Sequence, residues 1–79
     1  MIKYHKQAEK FLLSQDKKTA IRIFEAISQL PSGDIKPLKG NNKPQKFRLR
    51  VGGYRIVFRI EQDTTIILRI DTRGDIYKK

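Results

Sequence analysis

A chain of 79 residues has room for one core and one domain, spanning 1–79, and with no cysteine it can form neither a disulfide nor a thiolate metal site. Eighteen Lys and Arg stand against eight Asp and Glu, a net charge of +10, and an excess of that size repels itself in a folded chain unless an anionic partner relieves it. No apolar run is long enough to cross a bilayer, and the mixed, polar opening MIKYHKQAEKF does not read as a secretory signal.

Ile2 to His5 alternates Ile2 and Tyr4 with Lys3 and His5, which predicts a short first strand. Lys6 to Leu13 reads as a short helix with Ala8, Phe11 and Leu12 near one side. Asp16 stands where an N-cap belongs, ahead of a second helix over Lys17 to Leu30. The apolar residues of that helix, Ala20, Ile23, Phe24, Ile27 and Leu30, fall at helical spacing and predict one core stripe. Pro31, Ser32 and Gly33 end it, and the two helices are expected to pack as a hairpin. Asp34 to Pro44 contains Pro37, Gly40, Asn41, Asn42 and Pro44 and predicts a loop, made basic by Lys36, Lys39 and Lys43.

From Gln45 onward the pattern changes to period two. Phe47, Leu49 and Val51 alternate with Lys46, Arg48 and Arg50 up to Gly52-Gly53, a two-residue hairpin signal. Tyr54, Ile56, Phe58 and Ile60 then alternate with Arg55, Val57 and Arg59. A two-residue turn sets Val51 against Tyr54, Leu49 against Ile56 and Phe47 against Phe58 on the apolar face. The other face then pairs Arg50 with Arg55, Arg48 with Val57 and Lys46 with Arg59. A last strand is expected over Thr65 to Ile70. A three-residue loop, Gln62 to Thr64, would turn Ile66, Leu68 and Ile70 inward and Ile67, Arg69 and Asp71 outward. It would also set Ile60 against Ile66 and Arg55 against Asp71; continued parity turns Arg73, Asp75 and Tyr77 outward as well.

The fold expected is therefore α+β: an N-terminal strand and a two-helix hairpin packed on a small, mainly antiparallel sheet, in the order β-α-α-β-β-β. Its outer sheet face gathers Lys46, Arg48, Arg50, Arg55, Arg59, Arg69 and Arg73, broken only by Asp71 and Asp75. Like charges set directly opposite each other destabilise a sheet, and a merely solvated face usually mixes signs. Arginine's planar fork donates two parallel hydrogen bonds to phosphate oxygens. Nucleic acid is thus the first candidate partner, an acidic protein the second and an anionic membrane surface the third. No helix sets a basic face opposite a Trp/Phe/Leu face, which leaves the membrane the weakest of the three. Absence of cysteine fits a reducing cytosol.

Binding RNA needs no more than this face, whereas cleaving it needs proton transfer too. RNA carries its own nucleophile, the 2′-hydroxyl, and fixed arginines can stabilise the charge that builds on the phosphorus oxygens. His5, the only histidine, lies in the first strand, where a structural role is the expected one. Proton transfer therefore falls to Lys46, Tyr77 or an arginine; Tyr77 could instead stack on a splayed base.

The run KPLKG, then KFRLRVGGYRIVFRI, then IILRIDTRGDIY resembles the RelE/ParE superfamily of bacterial type II toxins, on its RelE side, over nearly the whole chain. The resemblance implies a cytoplasmic, metal-independent and cofactor-free endoribonuclease that cleaves mRNA, typically on the ribosome, leaving a 2′,3′-cyclic phosphate. Carried over by position, it implies a catalytic set of Lys46, Arg48, Arg55, Arg73 and Tyr77. Arg50, Arg59, Arg69, Lys43 and Lys39 then make up the surrounding RNA-binding surface. It implies a co-encoded acidic antitoxin as partner, which fits the charge. Two other readings stay open: a non-enzymatic inhibitor of DNA gyrase in the ParE manner, and an inactive relative that binds RNA or antitoxin without turnover. The chain stops two residues after Tyr77, short of the C-terminal helix of many members, and the Arg73 match is softer than the Arg55 match because spacing to the tyrosine varies.

Overall fold

The computed structural model describes residues 1–30, 32–38 and 45–72. Strand β1 (Ile2–Tyr4) is followed by helices α1 (Lys6–Ser14) and α2 (Lys17–Ser28) and by strands β2 (Asp34–Pro37), β3 (Lys46–Val51), β4 (Tyr54–Glu61) and β5 (Thr64–Thr72). The strands form one sheet in the order β1-β5-β4-β3-β2. Three pairings are antiparallel, and β1 joins β5 in parallel. The architecture is α+β, as expected, with one strand more than expected. Asp34–Pro37 is β2, paired with β3, rather than the start of a loop. Ile35 between Asp34 and Lys36 keeps the alternation of a half-buried strand, and Pro37 is tolerated because β2 is an edge.

Both helices lie on one face of the sheet. Ala8, Ile23 and Ile27 are fully buried against Leu49, Ile56, Phe58, Ile67 and Ile70. Cross-strand stacking of Phe47 on Phe58, with ring centroids 5.6 Å apart, adds to this inner face. The α2 stripe is narrower than its spacing suggests. Phe24 is 54% exposed; it stacks on Tyr4 at 6.3 Å at the margin of the core and, with Leu12, Leu13, Ala20 and Ile21, lines an open apolar groove between the helices. Burial pushes the Tyr4 phenol above its ordinary value of 10.0. Asp16 occupies the N-cap of α2 with extended backbone, but its side chain makes no capping hydrogen bond. His5 is not part of β1: it is the N-cap of α1, and its backbone N–H donates to Ile67 O at 2.9 Å.

The β3–β4 hairpin has the register that Gly52-Gly53 predicts, from Val51 opposite Tyr54 to Lys46 opposite Arg59. Gly52 sits at φ +57, so the turn needs glycine for its backbone; a Cβ there would lie 3.0 Å from Arg22 Nη2, the mobile end of a side chain that can give way.

The β4–β5 hairpin departs from expectation. Its turn is two residues long, Gln62 and Asp63, with Gln62 at φ +55 and Glu61 opposite Thr64. Ile60 therefore faces Thr65 rather than Ile66. This register sets Ile67 against Phe58 in the core, fully buried, and puts Ile66 opposite Arg59 on the outer face. Continued unbroken, it would carry Arg69 inward against Ile56. A bulge prevents that: Phe58 pairs with Ile67 but Val57 pairs with Arg69, leaving Leu68 as the extra residue. Beyond the bulge, Ile70 faces inward opposite Ile56, and Arg55 stands opposite Asp71. The expected inward Ile66 and Leu68 and outward Ile67 are thus corrected, while outward Arg69 and Asp71 and inward Ile70 stand.

Candidate nucleic-acid interface

The sheet face away from the helices is built by three short rows across the strands. One row runs Asp34, Arg50, Arg55, Asp71; the next Lys36, Arg48, Val57, Arg69; the third Lys46, Arg59, Ile66, Lys3. Lys46, Arg48, Arg50, Arg55, Arg59 and Arg69 therefore share one face, as strand parity predicts. Arg73, Tyr77, Lys39 and Lys43 lie outside the described residues. Lys3 and Lys36 belong to the face although sequence reasoning left them out of it. The alternation Ile2-Lys3-Tyr4 and Ile35 beside Lys36 carried that signal, but neither strand could be placed in the sheet order from sequence.

Charge is not uniform over the face. Arg55 Nε donates to Asp71 Oδ1 at 3.3 Å, and Arg69 Nη2 lies 3.2 Å from Asp71 Oδ2, so one carboxylate holds two arginines. Arg50 Nε lies 3.8 Å from Asp34 Oδ2. These two carboxylates relieve the Arg50–Arg55 repulsion that the hairpin imposes. Pairs this exposed contribute little stability, about 0–1 kcal/mol each; their effect is to orient. Asp34 is an unforeseen member, since it reaches Arg50 only because β2 pairs with β3. The other two rows are less compensated. Arg59 Nη2 stands 3.7 Å from Glu61 Oε1. Arg48 Nη1 and Arg59 Nε are buried and have no hydrogen-bond partner among the described residues. Such a face can hold an anionic chain and stabilise negative charge developing on it. His5, the N-cap of α1, follows the end of β1 and is not in the paired register of these rows.

Comparison with known proteins gives this arrangement a lineage. The family model described as ParE toxin of type II toxin-antitoxin system, parDE, matches residues 2–77. The chain belongs to this toxin family. Its RelE/ParE kinship is also clear in individual relatives. The ParE-family chain is 34% identical over 67 residues to Toxin RelG of Mycobacterium tuberculosis, covering 73% of this chain and 77% of the relative. Its fold is similar to that of a solved chain of the archaeal RelE-RelB complex from Pyrococcus horikoshii, at TM-score 0.74 and 26% identity over 92% of this chain and 93% of that one. A chain of the RelB-RelE antitoxin-toxin complex from Methanococcus jannaschii gives TM-score 0.73 and 29% identity over 95% and 94%. The chain is thus a toxin of a type II toxin–antitoxin system by family.

Proposed function

We propose that this toxin is an endoribonuclease that cuts mRNA on the ribosome in the cytoplasm, and that its outer sheet face is the RNA site. One observation carries the reading: Lys46, Arg48 and Arg55, the described members of the set implied by the RelE resemblance, project from one face of the β3–β4 hairpin. In the reaction, the RNA 2′-oxygen attacks the adjacent phosphorus, a new P–O2′ bond forms and the P–O5′ bond breaks. Lys46 or Tyr77 takes the 2′-hydroxyl proton, and a protonated partner returns one to the departing 5′-oxygen. Arg48, Arg55 and Arg73 balance the charge on the non-bridging oxygens. The product is a 2′,3′-cyclic phosphate and a 5′-hydroxyl. Asp71 holds the Arg55 fork in place, and phosphate competes with that carboxylate for it.

An acidic antitoxin is the proposed protein partner. Support comes from the solved relatives, which are chains of toxin–antitoxin complexes, and from the +10 charge that such a partner would neutralise. The description of the matching family as ParE favours a second reading, inhibition of DNA gyrase by contact without cleavage. Induced expression separates the two. Growth arrest with fragmented mRNA by primer extension is expected, and Arg55→Ala combined with Tyr77→Phe should abolish both. Intact transcripts together with blocked DNA supercoiling would reject the nuclease in favour of the gyrase reading.

A further inference from the structure

Two buried guanidinium nitrogens on the outer face, Arg48 Nη1 and Arg59 Nε, find no acceptor among the described residues. A buried donor without a partner is costly, most of all on a charged group, and native folds rarely keep one unless an acceptor arrives from elsewhere. The two arginines are diagonal neighbours, since Arg48 stands opposite Val57 and Arg59 opposite Lys46 on the same face. Long side chains so placed can reach one another's surroundings. Between and beside them the floor is apolar: Val57 is 9% and Ile66 8% exposed, although both point away from the core. A dry floor strengthens any hydrogen bond made above it. Arg59 does meet Glu61, but through Nη2 at 3.7 Å, which leaves Nε without an acceptor among the described residues. The arginines nearer the Gly52-Gly53 turn differ, because Asp34 and Asp71 already hold Arg50, Arg55 and Arg69.

We propose that Arg48 and Arg59 form a built subsite for one phosphodiester of an RNA chain, with Arg59 as a phosphate-binding residue outside the catalytic set that the RelE resemblance implies. The proposal rests on reading the outer face as an RNA site and deepens it. Two cations on one diagonal of the same face favour an anion beside them, and an arginine edge presents two parallel N–H groups to phosphate oxygens. Lys46 beside Arg59, with Lys3 and Lys36 on the outlying strands of the same face, extends positive charge along both rows. Strands about 4.8 Å apart spread that charge over a distance suited to successive phosphates, which favours a polyanion over a single carboxylate.

The test uses the full 15N-labelled chain titrated with a 2′-deoxy dinucleoside monophosphate, which offers one phosphodiester and no 2′-hydroxyl to react. The Arg59 Nε–H cross-peak should move saturably. Arg59→Gln should weaken binding about tenfold or more, with Arg59→Lys, which keeps the charge and loses the fork, recovering only part. Lys10→Gln removes the same unit charge from α1, behind the sheet, and should change affinity less than twofold. Equal losses in Arg59→Gln and Lys10→Gln, or an Arg59 cross-peak that drifts without saturating, would overturn the subsite and leave only diffuse attraction. Tighter binding of N-acetylglutamate than of the dinucleotide would overturn the phosphate assignment in favour of an acidic protein. Should Arg59→Gln fail to fold by circular dichroism, the titration of the unsubstituted chain decides. Cleavage plays no part in the readout: a saturable Arg59 response in a protein that leaves RNA intact would remove the nuclease reading and keep the subsite, and cleavage with Arg59 silent would do the reverse.

Discussion

Gln7 behaves as a strand residue although it belongs to a helix. Its side-chain amide donates from Nε2 to Ile70 O at 3.2 Å and accepts from Ile70 N–H at 3.0 Å through Oε1. β1 ends at Tyr4, so the amide continues the pairing to β5 where the backbone has already turned into α1. Gln7→Ala would leave both Ile70 groups to water, and a loss of about 1 kcal/mol in urea unfolding is expected. Tyr4 carries a different dependence. Its phenol is held above 10.0 by burial, so the folded chain keeps the proton at a pH where the unfolded chain releases it. The contribution is full below about pH 10 and lost as pH rises past it. Urea midpoints at pH 9 and pH 11 should therefore fall further for the natural chain than for Tyr4→Phe.

Among the elements, legibility followed the turns. Gly52-Gly53 fixes the β3–β4 loop length, and six alternating positions before it and seven after it leave only one register that keeps arginine out of the core; the shared face of Lys46, Arg48 and Arg55 came with it. Gln62-Asp63 offers no such mark, because a glutamine at positive φ is uncommon. Ile66, Ile67 and Leu68 are three apolar residues in a row, so alternation could not show where the parity changed. β2 was hidden by the loop composition that follows it, and with β2 went the Asp34–Arg50 pair. Phe24 lies on the edge of its helical stripe, where spacing alone does not settle burial. The bulge makes its own prediction. Removing Leu68 would leave Phe58 opposite Ile67 and Val57 opposite Arg69 in an uninterrupted ladder, with both faces intact. That deletion should fold, with a native-like circular dichroism spectrum, and cost less than Ile67→Ala, for which about 2–5 kcal/mol is expected.

At the scale of the molecule, among the described residues eight cations stand on the outer sheet face and five on the helices. If RNA occupies that face, affinity should fall steeply with salt, each phosphate contact on a single strand contributing a slope of about −0.7 in log K against log salt. A flat response measured by fluorescence anisotropy between 50 and 200 mM salt would count against the face as the site. The outlying strands of the sheet have a consequence of their own. β1 is three residues long and carries Lys3; β2 is four residues long and carries Lys36 and Pro37. An open margin of this kind is too short, too cationic and, at Pro37, too poor in N–H groups to template stacking of one copy on the next. Ribbon-like aggregation is thereby discouraged by the same lysines that widen the basic face.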